Sequence, residues 1–374
     1  MKVLYIGHYK EGTGWSQAAI DLIMSMHLVG IDVVCRNIKL TDHKANINPI
    51  LMRLENKPLE DIDVCIQHVL PHHMVGTKKF KKNIAYFVGE TNSTLFTNWH
   101  VMLKQMDEVW VPNKTLQNGL IKDGINTVKV IPHAFNLYRY GREHNKFNFQ
   151  DNNGKFKFYF IGDLNDRKNI ESIIRSFHSE FASHEQVALV LKLKKFGSNE
   201  NELVKYVSNL CSSIKKDLRL YKDVGDYHKE IIITSEFNDE QINSLHCSCD
   251  CFVGPTHGEG WSIPAFDAMC FGKTPICSNE GGPKEFIDPD DKGTGYLING
   301  VYGVCNHSDP AFPELFTGRE EWFIPSESEM KKAMRFYFEN RTIDKSSGLK
   351  RAEQFSHESV GNLIKESLDD KQFC

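Results

Sequence analysis

Gly258-Glu259-Gly260-Trp261-Ser262-Ile263-Pro264-Ala265-Phe266-Asp267-Ala268-Met269, closed by Gly272, sets two carboxylates on either side of a loop-to-helix junction. Pro264 suits a first helical turn, 265–271 carries apolar helix formers, and a glycine such as Gly272 ends a helix in the left-handed conformation. Glu259 therefore falls in a glycine loop and Asp267 on the helix after it, with seven residues between the two carboxylates. Cys251-Phe252-Val253 just upstream reads as the end of a buried strand. The loop is thus expected at the carboxyl edge of a sheet, where α/β proteins bind ligands. A helix start there also offers free N–H groups to an anion. Two acids beside an anion site suit a ligand that is rich in hydroxyls and carries phosphate, and a nucleotide sugar meets both conditions.

Outward from this stretch, strand-like runs alternate with amphipathic helical runs, the pattern of parallel sheets covered on both faces. Strands are predicted at 2–6, 31–35, 63–67, 83–87, 108–111 and 128–131, with a helix at 16–28. The stretch 138–156 is polar, rich in Asn, Lys and Tyr and without a clear period, and reads as a hinge or an exposed insertion. The pattern restarts with a strand at 156–161, a helix at 169–180 and a strand at 187–193. Helix then strand recurs at 202–214 with 231–234, at 239–245 with 249–253, and at 265–271 with 274–277; 327–339 and 346–367 read as helices. The fold class is α/β, with two doubly wound Rossmann-like domains at 1–137 and 156–350, a linker at 138–155, and a final helix within 351–374.

Composition removes several function classes. The formal charge is −4 with scattered Lys and Arg, so no basic field marks nucleic acid as the main partner. The first residues form a strand rather than a signal peptide, and no apolar run approaches a membrane span, so a cytoplasmic protein is expected. Of ten cysteines, Cys247, Cys249 and Cys251 form a C-x-C-x-C run without the second pair that zinc patterns require. They read as small buried hydrophobes.

The carboxylate stretch resembles the Glu-x7-Glu region of the retaining glycosyltransferases of the GT-B fold, usually numbered family four. Further pieces match in order along most of the chain. Lys2 to Gly7 with Gly12-Thr13-Gly14 is similar to the family's first strand and glycine loop, and Met106 to Pro112 to a late strand of its first domain. Ile131 to Asn136 resembles the passage into the second domain, Gly162-Asp163 with Arg167-Lys168-Asn169 the phosphate-binding loop, and Ser278 to Phe286 the glycine turn and helix beyond the carboxylates. The resemblance implies two domains facing each other across a cleft, with the donor on the second, the acceptor on the first, and the last helix returning to the first domain.

Glycosyl transfer breaks a sugar–phosphate bond through an oxocarbenium-like transition state while negative charge grows on the departing diphosphate. Lys168 matches the lysine that contacts the diphosphate in the family, and Arg167 reinforces it. Two cations at a helix start oppose the helix dipole, which favours an anion ligand over two merely solvated charges. The family's arginine five residues before that lysine is replaced by Asp163, so either Arg167 substitutes or the diphosphate is held less firmly. By resemblance Glu259 contacts the donor sugar and Asp267, one methylene shorter than the family's acid, the ribose; otherwise the two are a solvated loop acid and a solvated helix residue. Gly258, Gly260 and Ser262 offer close approach and backbone N–H groups to the donor, while Trp261 suits packing and stacking equally.

In the first domain, Gly14 is placed nearest the donor by the resemblance, although a plain tight turn accounts for it as well. A dinucleotide fingerprint is not completed there, because Gln17 stands where the third glycine is needed and Cys35-Arg36 brings no ribose-binding acid. In the loop where many family members carry a histidine, Glu90 is the candidate sugar or acceptor contact. His257 adjoins the acidic loop as a sugar contact or a structural hydrogen-bonding group.

The resulting expectation is a metal-independent retaining glycosyltransferase with no cofactor. It takes a nucleotide-diphosphate sugar of UDP or GDP type as donor and a glycan, lipid-linked or protein acceptor, with room for peripheral membrane contact. The other readings are a nucleotide-sugar isomerase or epimerase on the same scaffold and a non-catalytic nucleotide-sugar binding protein.

Overall fold

A computed structural model describes residues 1–39, 47–149, 154–195, 197–305 and 316–369. Their contacts divide into two compact units: one gathers 1–139, the described part of 304–321 and the chain from 352, and the other gathers 140–303 and 322–351.

In the first unit β1 (Lys2–Gly7), β2 (Asp32–Asn37), β3 (Val64–His68), β4 (Lys82–Tyr86), β5 (Glu108–Val111) and β6 (Val128–Val130) form one parallel sheet in the order β2-β1-β3-β4-β5-β6. Val3, Val33, Ile84 and Val109 are fully buried, as expected of strands covered on both faces. The helix Gly14–Leu28 packs on the helix His357–Asp369. Gly361 permits the approach, because a Cβ there would lie 2.5 Å from the Ser25 carbonyl oxygen. His357 Nε2 meets Asp21 Oδ1 at 2.8 Å across the same contact.

In the second unit β7 (Phe156–Asp163), β8 (Val187–Lys194), β9 (Ile231–Ile233), β10 (Cys251–Gly254), β11 (Ile276–Ser278) and β12 (Tyr296–Ile298) form a parallel sheet in the order β12-β11-β10-β7-β8-β9. From β7 the chain winds outward through β8 and β9, then returns to place β10 on the other side of β7. This reversal makes the carboxyl ends of β7 and β10 a topological switch point, the place where open α/β sheets hold ligands.

Among the features that differ from the sequence expectation, three concern the second unit and its borders. Of the stretch 138–155, read as a hinge or exposed insertion, residues 150–153 lie outside the described residues, but Tyr140 and Phe149 are buried within the second unit. Tyr140 meets Phe271 edge-on at 5.0 Å, and the Phe147 N–H donates to Ser248 Oγ at 2.6 Å. Aromatic side chains among polar neighbours gain apolar burial without any period that a sequence pattern reveals. Secondly, the described part of 304–321 groups with the first unit rather than the second, and the Asn92 N–H donates to the Glu321 carbonyl there at 3.5 Å. Thirdly, β12 was not anticipated. It is three residues long in a glycine-rich stretch and owes its strand state to pairing with β11.

Candidate functional site

Two loops leave the switch point side by side. The loop after β7 turns through a 3₁₀ segment, Asp166–Lys168, in which the Asn165 side chain accepts from the Lys168 N–H at 3.1 Å. Asn169 then takes the left-handed conformation (φ 54°, ψ 44°), which Asn tolerates better than most residues, and the helix Ile170–Glu180 begins. The Asn169 side-chain amide donates to the Pro255 carbonyl at 3.0 Å, and the His257 N–H donates to the Arg167 carbonyl at 2.8 Å. Those bonds stitch the loop after β7 to the loop after β10, residues 255–262.

The stitching brings Lys168, Arg167 and Glu259 together. Lys168 Nζ lies 2.5 Å and Arg167 Nη1 3.3 Å from Glu259 Oε1, while Arg167 Nη1 also donates to the Gly258 carbonyl at 2.7 Å. Only 14%, 12% and 9% of these three side chains is exposed, so the group is shielded rather than solvated. Burial by itself would raise the Glu259 carboxyl, but the charges of Lys168 and Arg167, with hydrogen bonds from Lys168 and Thr256, outweigh it and hold the group below the ordinary glutamate value. Glu259 therefore remains a hydrogen-bond acceptor at neutral pH. The reading of Glu259 as a solvated loop acid does not survive this geometry.

A second support lies beneath the loop. The Gly282 N–H donates to the Glu259 carbonyl at 3.1 Å, and a Cβ on Gly281 or Gly282 would sit 2.2 Å from backbone atoms of Glu259 or Trp261. Gly281, at φ +64°, also needs the conformational freedom of glycine. The role of these two glycines in seating the acidic loop was not legible from the sequence, which marked them only as a turn. Glu280 beside them was missed altogether; burial raises its carboxyl, partly offset by the Tyr302 hydroxyl that donates to it at 2.6 Å.

The loop ends in a left-handed residue, Ser262 (φ 72°, ψ 69°), ahead of the helix Ile263–Cys270. A non-glycine residue held there is a strained point, and such points cluster at ligand-binding loops. Gly258 and Gly260 are buried in the loop. Trp261 is 2% exposed between Phe266 and Phe286, at ring distances of 6.0 and 5.6 Å, so of its two readings packing is the one realised. Asp267 is 3% exposed, and the Tyr140 hydroxyl donates to its Oδ1 at 2.6 Å, which removes the reading of a solvated helix residue. His257 sits with Nδ1 2.7 Å from the Phe323 carbonyl and its ring stacked on Trp322 at 4.3 Å, the arrangement of a structural hydrogen-bonding group. Asp163 is half exposed, with Lys194 Nζ 3.7 Å from its carboxylate.

Gly14 and Glu90 belong to the first unit. Gly14 is the first residue of its helix, just after Thr13, whose side chain accepts from the Ser16 N–H at 3.2 Å; the left-handed turn of this loop falls on Gly12 at φ +65°. Glu90 lies in the partly exposed loop that follows β4.

With this arrangement in hand, the chain can be set beside known proteins. Residues 141–301 match the family model described as Glycosyl transferases group 1, and both site loops lie inside the match. Glycogen synthase of Lachnospira eligens is 21% identical over 224 residues, which covers 55% of this chain and 42% of the relative. The chain thus aligns with less than half the length of that relative. Among solved structures, HepE of Anabaena in complex with UDP-glucose superposes with a TM-score of 0.64 at 15% identity, over 98% of this chain and 99% of that one. A trehalose-6-phosphate structure from Escherichia coli bound with UDP-2-fluoro glucose gives 0.66 at 8% identity, with full coverage of both chains. Sucrose-phosphate synthase of Thermosynechococcus elongatus gives 0.62 at 13% identity, over 98% of this chain and 98% of that one.

The chain has the GT-B fold. Within that fold the Lys168–Arg167–Glu259 group occupies the switch point of the second sheet.

Proposed function

We propose that this protein is a retaining, metal-independent glycosyltransferase that moves a sugar from a nucleoside diphosphate to an acceptor hydroxyl. The observation that carries the reading is the shielded Lys168–Arg167–Glu259 group at the switch point. The match of 141–301 to a glycosyltransferase family model supports it, as do the UDP-glucose and UDP-2-fluoro glucose bound in two structures of similar fold.

In this reading Lys168, with Arg167, faces the diphosphate and stabilises the charge that grows on it. Glu259, held as a carboxylate, accepts hydrogen bonds from hydroxyls of the donor sugar. The acceptor hydroxyl attacks the anomeric carbon on the face from which the diphosphate leaves; the sugar–phosphate bond breaks and the acceptor proton passes to a diphosphate oxygen. Gly258, Gly260 and Ser262 supply close approach and backbone donors. Asp267, engaged by Tyr140, is assigned to holding the helix Ile263–Cys270 in place rather than to ribose contact. Gly14 and Glu90 keep the roles that the family resemblance gives them. A UDP or GDP donor and a glycan, lipid-linked or protein acceptor complete the proposal, together with a cytoplasmic location at or away from a membrane surface. No described helix is long and apolar enough to cross one.

The test is product analysis with UDP-, GDP- and ADP-sugars against broad acceptor panels, with and without a chelator. Released nucleoside diphosphate together with an acceptor glycosylated with retained anomeric configuration is the expected result. A changed sugar still on its nucleotide would replace the proposal with an isomerase, and donor binding without turnover would replace it with a binding protein. Lys168→Ala is expected to lower kcat about a hundredfold or more, the scale of losing one preorganised charge donor.

A further inference from the structure

The second unit carries another cationic feature, away from the switch point. The helix Glu200–Leu218 leaves the carboxyl end of β8 and runs back toward the start of β9. Its last turn therefore lies toward the amino-terminal edge of the sheet, opposite the edge that bears Glu259. There a concavity of about 420 Å³ is lined by Lys215, Lys216, Arg219, Lys222, Tyr221 and Tyr227, with no carboxylate in its lining.

The floor of this concavity is built. Lys215 is 7% exposed, and its Nζ donates to Glu230 and to the His228 carbonyl, each at 2.9 Å. Glu230 is held from its other side by the buried His178, and Tyr227 meets the His178 ring edge-on at 5.6 Å. Tyr227 accepts from the Leu220 N–H at 2.8 Å and Tyr221 from the Ser183 N–H at 3.0 Å, which fixes both rings. Of the cations in the lining, Glu230 thus balances Lys215. Lys216, Arg219 and Lys222 are exposed and have no ion-pair partner among the described residues; Asp217, Asp223 and Asp226 share the segment but are not part of the lining.

Helix-dipole compensation accounts for lysines in the last turn. It does not account for Arg219. That residue caps the helix in the left-handed conformation (φ 54°, ψ 26°), a position that glycine fills at no cost. Nor does it account for Lys222, which lies beyond the helix. Three uncompensated cations round a fixed aromatic floor, one of them on a strained backbone, form an arrangement suited to an oxyanion.

We propose that this concavity is a second binding site, separate from the donor loops, for a phosphate-bearing anion. Arg219 and Lys216 supply charge-assisted hydrogen bonds, Lys222 closes the rim, and the tyrosines contact what the phosphate is attached to. The phosphate belongs either to a free molecule or to a lipid headgroup.

Two binding arms separate these sources, using the full chain with Arg167→Ala and Lys168→Ala so that the donor loops do not report. In the first, inorganic phosphate and pyrophosphate are titrated calorimetrically at low and at physiological salt. In the second, the chain is sedimented with phosphatidylglycerol vesicles and with neutral phosphatidylcholine vesicles. Arg219→Gly is the informative variant, since it deletes the guanidinium and relieves the left-handed strain, so the variant retains or gains thermal stability. It is expected to weaken binding about tenfold, the scale of one charge-assisted hydrogen bond. Adding Lys216→Ala and Lys222→Ala is expected to abolish it. Loss in the first arm assigns a soluble phosphate ligand; loss confined to the anionic vesicles assigns a headgroup. Binding that the triple variant leaves unchanged, or no binding in either arm, overturns the proposal, and neither result bears on sugar transfer at Glu259.

Discussion

Gly282→Ala tests how the acidic loop is held. Gly282 has ordinary right-handed dihedrals (φ −55°, ψ −38°), so alanine meets no backbone strain and only the added methyl matters. That methyl would lie 2.2 Å from Trp261 Cα, 2.5 Å from its carbonyl oxygen and 2.7 Å from its carbonyl carbon. All three are backbone atoms, so no rotamer change relieves the clash. Ordinary contact begins near 3.4 Å, which requires the loop to retreat by about 1.2 Å. The Lys168–Glu259 contact, now 2.5 Å, then opens toward about 3.7 Å if the whole movement falls on it. Displacement on this scale costs about a hundredfold in a positioned reaction, and overpacking costs about 1–3 kcal/mol of stability. The assay is kcat/KM with the donor identified by product analysis, alongside the apparent Tm. Gly225→Ala, where a Cβ meets nothing within 4 Å, serves as control. If Gly282→Ala keeps kcat/KM within about twofold of the unaltered protein, the loop is not positioned as argued.

Glu259 gives a pH prediction with a definite sign. Its carboxyl is lowered from the ordinary 4.5, so the stability it contributes is fully present above pH 4.5 and is lost as pH falls through the lowered value. The apparent Tm difference between the unaltered protein and Glu259→Gln should therefore be constant from neutral pH to about 5 and shrink only in more acid solution; a difference that vanishes already at pH 6 contradicts the assignment. Tyr140→Phe removes the donor to a buried Asp267 oxygen and is expected to cost about 1–3 kcal/mol, read as a lower denaturant midpoint, with an unchanged midpoint as the contrary result. Gly361→Ala would place a methyl 2.5 Å from the Ser25 carbonyl and 2.7 Å from a Val29 methyl, and should loosen the helix His357–Asp369. Limited proteolysis should then cut near that helix earlier than in the unaltered protein, and equal cleavage rates count against its packed role.

The alternation of strand and helix was readable along the chain because each buried strand is a short apolar run and each covering helix an amphipathic one. Pro264 and Gly272 bracketed the helix beside Glu259 to within two residues, since both act through their own backbone geometry. Other features depend on partners distant in sequence. β12 is a strand through its pairing with β11, Tyr140 is fixed by Asp267, and Gly281-Gly282 acquire their role by lying against Glu259 and Trp261.

The same division holds at the site. The residue types are legible in the chain: two cations after the first strand of the second sheet and an acid in the glycine loop after the fourth, in an order that fits a donor of sugar and phosphate. It takes the folded arrangement to bring Lys168 and Arg167 onto one oxygen of Glu259, to turn Trp261 inward and to bury Asp267 under Tyr140. Local backbone preference acts over a few residues and is written in them. The meeting of two loops 91 positions apart follows from the crossover that sets β10 beside β7, and that pairing belongs to the folded chain as a whole.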